Sequence, residues 1–374
     1  MKADAYGHGG IPVARALAAR GADGFCVATF DEAVDLRDGG IELPVLVLYP
    51  VPAAVAAEAR ARGLAVTAGD DELLRGLLAA LDGAGPGTGP LRLHLEVETG
   101  LGRGGFAVEE VAGAARSIEA APGAALDGLW THLQAPEDPA RTAAQVERFG
   151  AAIAALEGEG IRLPPRHLEA SGGLLQDGLL AYEAVRPGLA VYGLVPDELL
   201  DGATPRADVP ADAGGLRPAL SLHARPVRVA EVSAGWGISY GPTFTTARPS
   251  RIATLPLGYG DGWPRSLSNL ASALVRSRRV PLVGSVAMDA VMADVTDVPG
   301  EPVGVHDEFV LLGTQGSERI TAAELAALRR TNSWEVVTSL AARLPRVYHA
   351  ASVPLETRTL AGHHRAGDPG PGER

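Results

Sequence analysis

The sequence of 374 residues is almost without lysine and cysteine: of its 33 basic residues only Lys2 is a lysine, and Cys26 is the single cysteine. One cysteine excludes an internal disulfide and fits a cytoplasmic protein. Aromatic residues make up only 5% of the chain. No run approaches the roughly 20 apolar residues that a membrane helix needs. Positive charge is also short, with a net charge of -12. That argues against nucleic acid as a partner, because binding by counterion release needs a basic surface. The nine histidines show no metal-site spacing such as H-E-x-x-H, so no metal is expected. No Ser-His-Asp or Cys-His nucleophile signature stands out either.

What the chain does have is apolar content, 46% of residues, and enough length for two domains. The first two hundred residues alternate β-rich runs with Ala/Leu helical stretches. GFCVATF (24–30), PVLVLYP (44–50), LAVTAG (64–69), LRLHLEVET (91–99) and LDGLWTHLQ (126–134) each precede a helical pattern, and RHLEAS (166–171) and AVRPGLAVYG (184–193) follow. This alternation predicts a parallel sheet, and the near-continuous apolar strands suit one covered on both faces. Seven strands can be read, where a closed β/α barrel needs eight. The absent one would precede the helix IPVARALAARG (11–21), so Lys2 is expected where a first barrel strand would end. Residues 201–216 read as a Pro/Gly/Asp-rich linker. From about 217, short strands with turn signals predict a mainly antiparallel β domain. Two helices interrupt it, one capped by Thr321 with Glu324, the other starting near Asn332 with Glu335. The expected division is a barrel over 1–212, a β domain over 213–361 and a disordered tail over 362–374.

The residue types in KADAYGHG (2–9) suggest chemistry. Arginine stays protonated in proteins and cannot condense with an aldehyde, whereas lysine can. Chance survival of one surface lysine explains the count equally well, but a lysine at a barrel strand end could form an imine with pyridoxal 5′-phosphate (PLP). The competing reading is an ordinary strand-to-helix loop, where glycines are common anyway. GLGRGG (100–105) also fits G-x-G-x-x-G, but the surrounding chain reads as a barrel rather than an open dinucleotide-binding sheet, so that reading is rejected.

KADAYGHG resembles the PLP-attachment motif of the alanine racemase family, and further segments follow in that family's order. The resemblance implies Lys2 as the PLP lysine and Tyr6 as a cofactor contact. In LEVETGLGRGG (95–105) it implies Arg103 as a substrate contact, and in WTHLQ (130–134) His132 as a cofactor-site residue. HLEASGG (167–173) resembles the phosphate-contacting segment, with Ser171, and VRPGLAVYG (185–193) the cofactor segment with Arg186, Gly188 and Leu189. GISYGPTF (237–244) carries the tyrosine of the second base, Tyr240, which also meets the substrate. GYGDG (258–262) and SVAMDAVMADVT (285–296) complete the set, the latter with Met288 as a substrate contact. The fold implied is a TIM-like β/α barrel followed by an antiparallel β domain. The activity implied is interconversion of L- and D-alanine for peptidoglycan by a homodimer, the tyrosine of one subunit facing the lysine of the other. Lys2 would serve one face of Cα and Tyr240 the other, the latter aided by Arg103 and Arg186 through His132. Arg186 at the pyridine nitrogen would hold that nitrogen unprotonated, which favours reprotonation at Cα over transamination or decarboxylation.

The sequence departs from the family at several places. Glu96 stands where many members carry a carbamylated lysine, and its carboxylate is expected to partner Arg103 instead. Ala170 replaces a frequent Asn, Ser285 and Ala287 replace an Arg and a Cys, and LAARLPR lacks a Tyr before its last Pro-Arg pair. These changes leave other or broader amino acid substrates, such as serine, as an alternative, together with an inactive homologue truncated at its amino terminus. The missing strand creates the further expectation of an in-frame extension upstream of Met1.

Overall fold

The computed structural model describes residues 1–82, 89–176, 182–200 and 215–365. Seven strands form one parallel sheet in sequence order: β1 (Phe25–Val27), β2 (Val45–Val47), β3 (Ala65–Ala68), β4 (Leu91–Glu96), β5 (Ala124–Trp130), β6 (Arg166–Ala170) and β7 (Ala184–Arg186). Each of the expected strand segments is present, and the fold is a nearly closed, TIM-like β/α barrel. β2 and β3 are buried at every residue, because helices cover one face and the barrel interior the other. Helix starts follow local chemistry. Thr29 and Glu32 form a capping box at 30–38, Asp70 caps 71–81, and Asp138 caps 139–158 with Pro139 in the first turn.

The loop expected at Lys2 takes an unusual form. Ala3, Asp4, Ala5 and Tyr6 all have φ between 51 and 54°. Left-handed backbone costs an L-residue roughly 1–2 kcal/mol. Local bonds offset this cost: Ala5 N donates to Met1 O at 2.8 Å, Ala3 N to Glu32 Oε1 at 2.6 Å, and Gly10 N to Asp4 Oδ1 at 2.7 Å.

The chain divides into two units, Met1–Ala5 with Gly9–Val191, and Tyr6–His8 with Tyr192–Arg374. The boundary expected at 212 lies outside the described residues. In the second unit Tyr192 stacks on His8 with ring centroids 4.3 Å apart and accepts from Ala219 N at 2.9 Å. The expected linker falls mostly outside the described residues.

The second unit is the antiparallel β domain. Its main sheet contains β8 (Leu222–Ala224), β9 (Arg228–Val232), β10 (Ser250–Leu255), β11 (Ser272–Val275), β12 (Arg278–Val283), β13 (Val291–Asp294), β14 (Phe309–Gln315) and β15 (Glu318–Ile320). The helices at Ala322–Arg329 and Ser333–Thr338 start where Thr321 and Asn332 accept from Glu324 N and Glu335 N. A second, three-stranded sheet consists of β16 (Arg346–Ala350), β17 (Val353–Thr359) and β18 (Gly362–Arg365). β18 occupies the start of the stretch expected to be disordered, because a short turn lets it pair with β17; 366–374 lie outside the described residues.

Candidate active site

In the barrel unit the candidate side chains come from strand ends and the turns just beyond them, as in other β/α barrels. Arg186 ends β7. Its Nη2 donates to Thr131 O at 2.7 Å and Leu168 O at 3.2 Å and lies 3.4 Å from His132 Nδ1, while its Nη1 bonds His167 Nδ1. The guanidinium also covers the Trp130 ring at 4.9 Å. Loss of hydration lowers its pKa to about 10, which leaves it cationic at neutral pH. His132 is pushed down to about 3, first by burial and then by Arg186, Arg103 and Lys2, so its imidazole is neutral. With Nδ1 turned to the guanidinium, the ring keeps its proton on Nε2.

Burial and Arg103 lower the pKa of Lys2, opposed by Glu32, which moves the ammonium toward the free amine that attacks aldehydes. Arg103 meets Glu96 Oε1 at 3.3 Å. The expected pairing is therefore formed, although burial raises the pKa of Glu96 against the pull of Arg103. Ser171 Oγ accepts from Gly188 N at 2.8 Å and Ala190 N at 3.1 Å. Those two bonds leave its hydroxyl hydrogen available for an outside acceptor such as a phosphate oxygen. Leu189 is buried behind them.

The other expected residues belong to the second unit. Tyr6 packs its ring 5.2 Å from that of Tyr192, and burial raises its pKa. Tyr240 is 77% exposed, in a turn where Ser239 and Gly241 both have positive φ. Met288 is exposed too, and its carbonyl accepts from Gly260 N at 2.9 Å. This explains GYGDG: a Cβ on Gly258 would lie 2.2 Å from Ala287 O.

Sequence reading passed over three supports of the barrel site. Glu98 accepts from Gly100 N, Gly102 N and Arg103 N and so shapes the loop that carries Arg103. Buried Gln145 donates to Thr99 Oγ1 and His132 O and accepts from Gln134 N, tying the long helix to the turn after β5. His167 meets Arg186. Only E-x-E spacing hinted at the first, and nothing local marks the others.

The neutral His132 has a consequence for stability. Its folded pKa, about 3, lies below the ordinary 6.5, so the unfolded chain takes up a proton first as pH falls. Its contribution is complete above pH 6.5 and is lost on acidification toward 3, by at most about 1.4 kcal/mol per pH unit. The thermal midpoint should therefore fall as pH drops through this window, and His132→Gln should flatten the decline. An unchanged slope in the variant would refute a buried neutral imidazole.

Comparison with known proteins identifies the family. Residues 1–196 match the alanine racemase N-terminal domain and residues 219–348 the alanine racemase C-terminal domain. The alanine racemase of Symbiobacterium thermophilum is 43% identical over 351 residues, covering 93% of this chain and 89% of that protein. Alanine racemase 2 of Caldanaerobacter subterraneus is 38% identical over 359 residues, 93% and 87% of the two chains. Among solved structures, alanine racemase from Bacillus anthracis with bound L-Ala-P aligns with a TM-score of 0.86 at 32% identity, over 96% of this chain and 90% of that one.

Proposed function

This chain belongs to the alanine racemase family, a PLP-dependent racemase that interconverts L- and D-alanine, and we propose that Lys2 and Tyr240 are the two bases of that reaction. The observation that carries the site assignment is the place of His132, whose Nδ1 lies 3.4 Å from Arg186 Nη2 and whose ring feels the charges of Arg186, Arg103 and Lys2 together in one region of the barrel unit. These residues fit PLP: an amine of lowered pKa for its aldehyde, a fixed guanidinium for its ring nitrogen, and a Ser171 hydroxyl free to donate to its phosphate. When bound, PLP supplies the electron sink that makes the Cα proton removable.

The chain's own residues do the rest. Lys2 moves the proton on one face of Cα, and Tyr240 on the other. Arg103, held by Glu96, orients the substrate carboxylate as a bidentate donor. Met288 borders the same substrate. Arg186 would hold the cofactor at its ring nitrogen, which a guanidinium that keeps its own proton would leave unprotonated. His132, bonded to Arg186 through Nδ1, presents Nε2–H to the acceptor that faces it. The product is D-alanine for peptidoglycan, made in the cytoplasm. A chiral assay of the purified chain with PLP, run over a panel of L-amino acids including serine, tests this reading. D-alanine should form fastest, and no racemised product from any substrate would overturn it.

We also propose that the enzyme works as a homodimer with shared sites. Exposure supports this: Trp236, Tyr240, Tyr259 and Met288 all stand open on the second unit, an arrangement that suits a surface covered by another copy. Mixing Lys2→Ala and Tyr240→Phe subunits should then restore up to about a quarter of wild-type activity, since mixed dimers hold one intact site of two and form half of the population. Proven mixed dimers without activity would place both groups in one subunit.

A further inference from the structure

Arg186 is the end of a longer chain of side chains inside the barrel unit, one that runs across four neighbouring strands. His94 lies on β4, Asp127 on β5, His167 on β6 and Arg186 on β7. Arg186 Nη1 bonds His167 Nδ1, His167 Nε2 lies 3.0 Å from His94 Nδ1, and His94 Nε2 lies 3.3 Å from Asp127 Oδ2. Arg92 closes the far end, with its Nε 3.0 Å from the same carboxylate oxygen.

Only one proton arrangement satisfies every contact. A guanidinium only donates, so His167 Nδ1 is bare and its proton sits on Nε2. His94 Nδ1 accepts that proton, so His94 carries its own on Nε2 and gives it to Asp127. Both rings are then neutral. Burial, the first cause in each, lowers both histidine pKa values accordingly, and the bond to His94 lowers that of Asp127.

The backbone is arranged to make this chain. β4 and β5 pair Leu93 with Leu126 but His94 with Gly128, so Asp127 is the extra residue of a β-bulge. Bulges re-aim side chains, and this one turns an acid into line with His94. Gly128 makes room: a Cβ there would sit 2.1 Å from His94 Nδ1, inside the path between the two rings. Trp130 lies almost parallel to His167, with ring centroids 6.1 Å apart and an interplanar angle of 5°.

We propose that His94 and Asp127 are positioning residues for Arg186: they lock His167 in the tautomer that accepts from the guanidinium, and so aim its remaining donors. This rests on the reading of Arg186 as the partner of the cofactor ring nitrogen. Without Asp127, His94 can turn its proton toward His167, whose own proton then moves to Nδ1 and confronts a donor.

The test uses the full chain labelled with ¹⁵N-histidine, with and without PLP. His94→Gln and His167→Gln assign the two rings among the nine histidines. In the wild-type chain both rings should be neutral with the proton on Nε2; a cationic His167, or one protonated on Nδ1, overturns the proposal. Asp127→Leu should mix the His167 tautomers and lower kcat about 10- to 100-fold, by analogy with the loss on removing outer partners of a metal-bound histidine, with KM for alanine nearly unchanged. Asp127→Asn keeps an acceptor oxygen and should recover kcat to within about threefold of wild type. Wild-type kcat in Asp127→Leu would overturn the proposal, and the wild-type tautomers decide it even should that variant not fold. They are read without turnover, so failure of the racemase reading and failure of the relay are separable.

Discussion

Lys2→Ala is expected to abolish both covalent PLP capture and racemisation. The chain contains no second lysine, so no other ε-amine can substitute. Arginine cannot take the role, because its guanidinium does not release a proton under these conditions. Met1 N, beside Lys2, donates to Cys26 O at 2.6 Å, a bond that occupies it on β1. Loss of a residue that is both attachment point and base should lower kcat by at least ~10⁴-fold. Borohydride reduction of the wild-type protein, followed by peptide mapping, should place the label on the peptide containing Lys2. A Lys2→Ala protein that kept the visible absorption of lysine-bound PLP would defeat the assignment.

Tyr240→Phe should be nearly as damaging, but unevenly so. The substitution removes one hydroxyl from a side chain that is 77% exposed, so folding of the second unit should be untouched and the thermal midpoint unchanged. Overall racemisation should fall by about 10³-fold or more, within the range expected of a lost general acid–base. Exchange of the Cα proton with deuterated solvent separates the two faces. The enantiomer served by Lys2 should keep exchanging, while the other stops. Equal loss for both enantiomers would contradict a two-base arrangement.

The alternation of strands and helices was legible because inner strands such as β2 and β3 are buried on both faces and several helices carry their own caps. Thr29, Asp70, Asp138, Thr321 and Asn332 act within three residues of their partners, so the sequence displays them directly. β15 and the pairing of β16 with β17 and β18 were not legible. β15 has only three residues, and β17, though seven residues long, runs from exposed to half-buried without the alternation that a half-buried strand shows.

The same contrast holds at the site. Composition drew attention to Lys2 because lysine is scarce here, whereas Arg103, His132, Ser171, Arg186 and Tyr240 stood out only by their place in motifs that follow the family's order. The sequence by itself thus determined the fold class and the family, and it named the candidate side chains for PLP. Only the tertiary structure decided how they are supported. The left-handed turn after Lys2 is invisible in alanines and an aspartate that would ordinarily be helical; Glu32 and Gly10 hold it from outside the segment. His94, Asp127 and His167 are separated by up to 73 residues and meet only because a bulge at Asp127 and the missing side chain of Gly128 open a path between strands. Chemistry that resides in one residue can be read from a sequence. Chemistry that resides in the orientation of a hydrogen bond depends on which strands become neighbours and in what register.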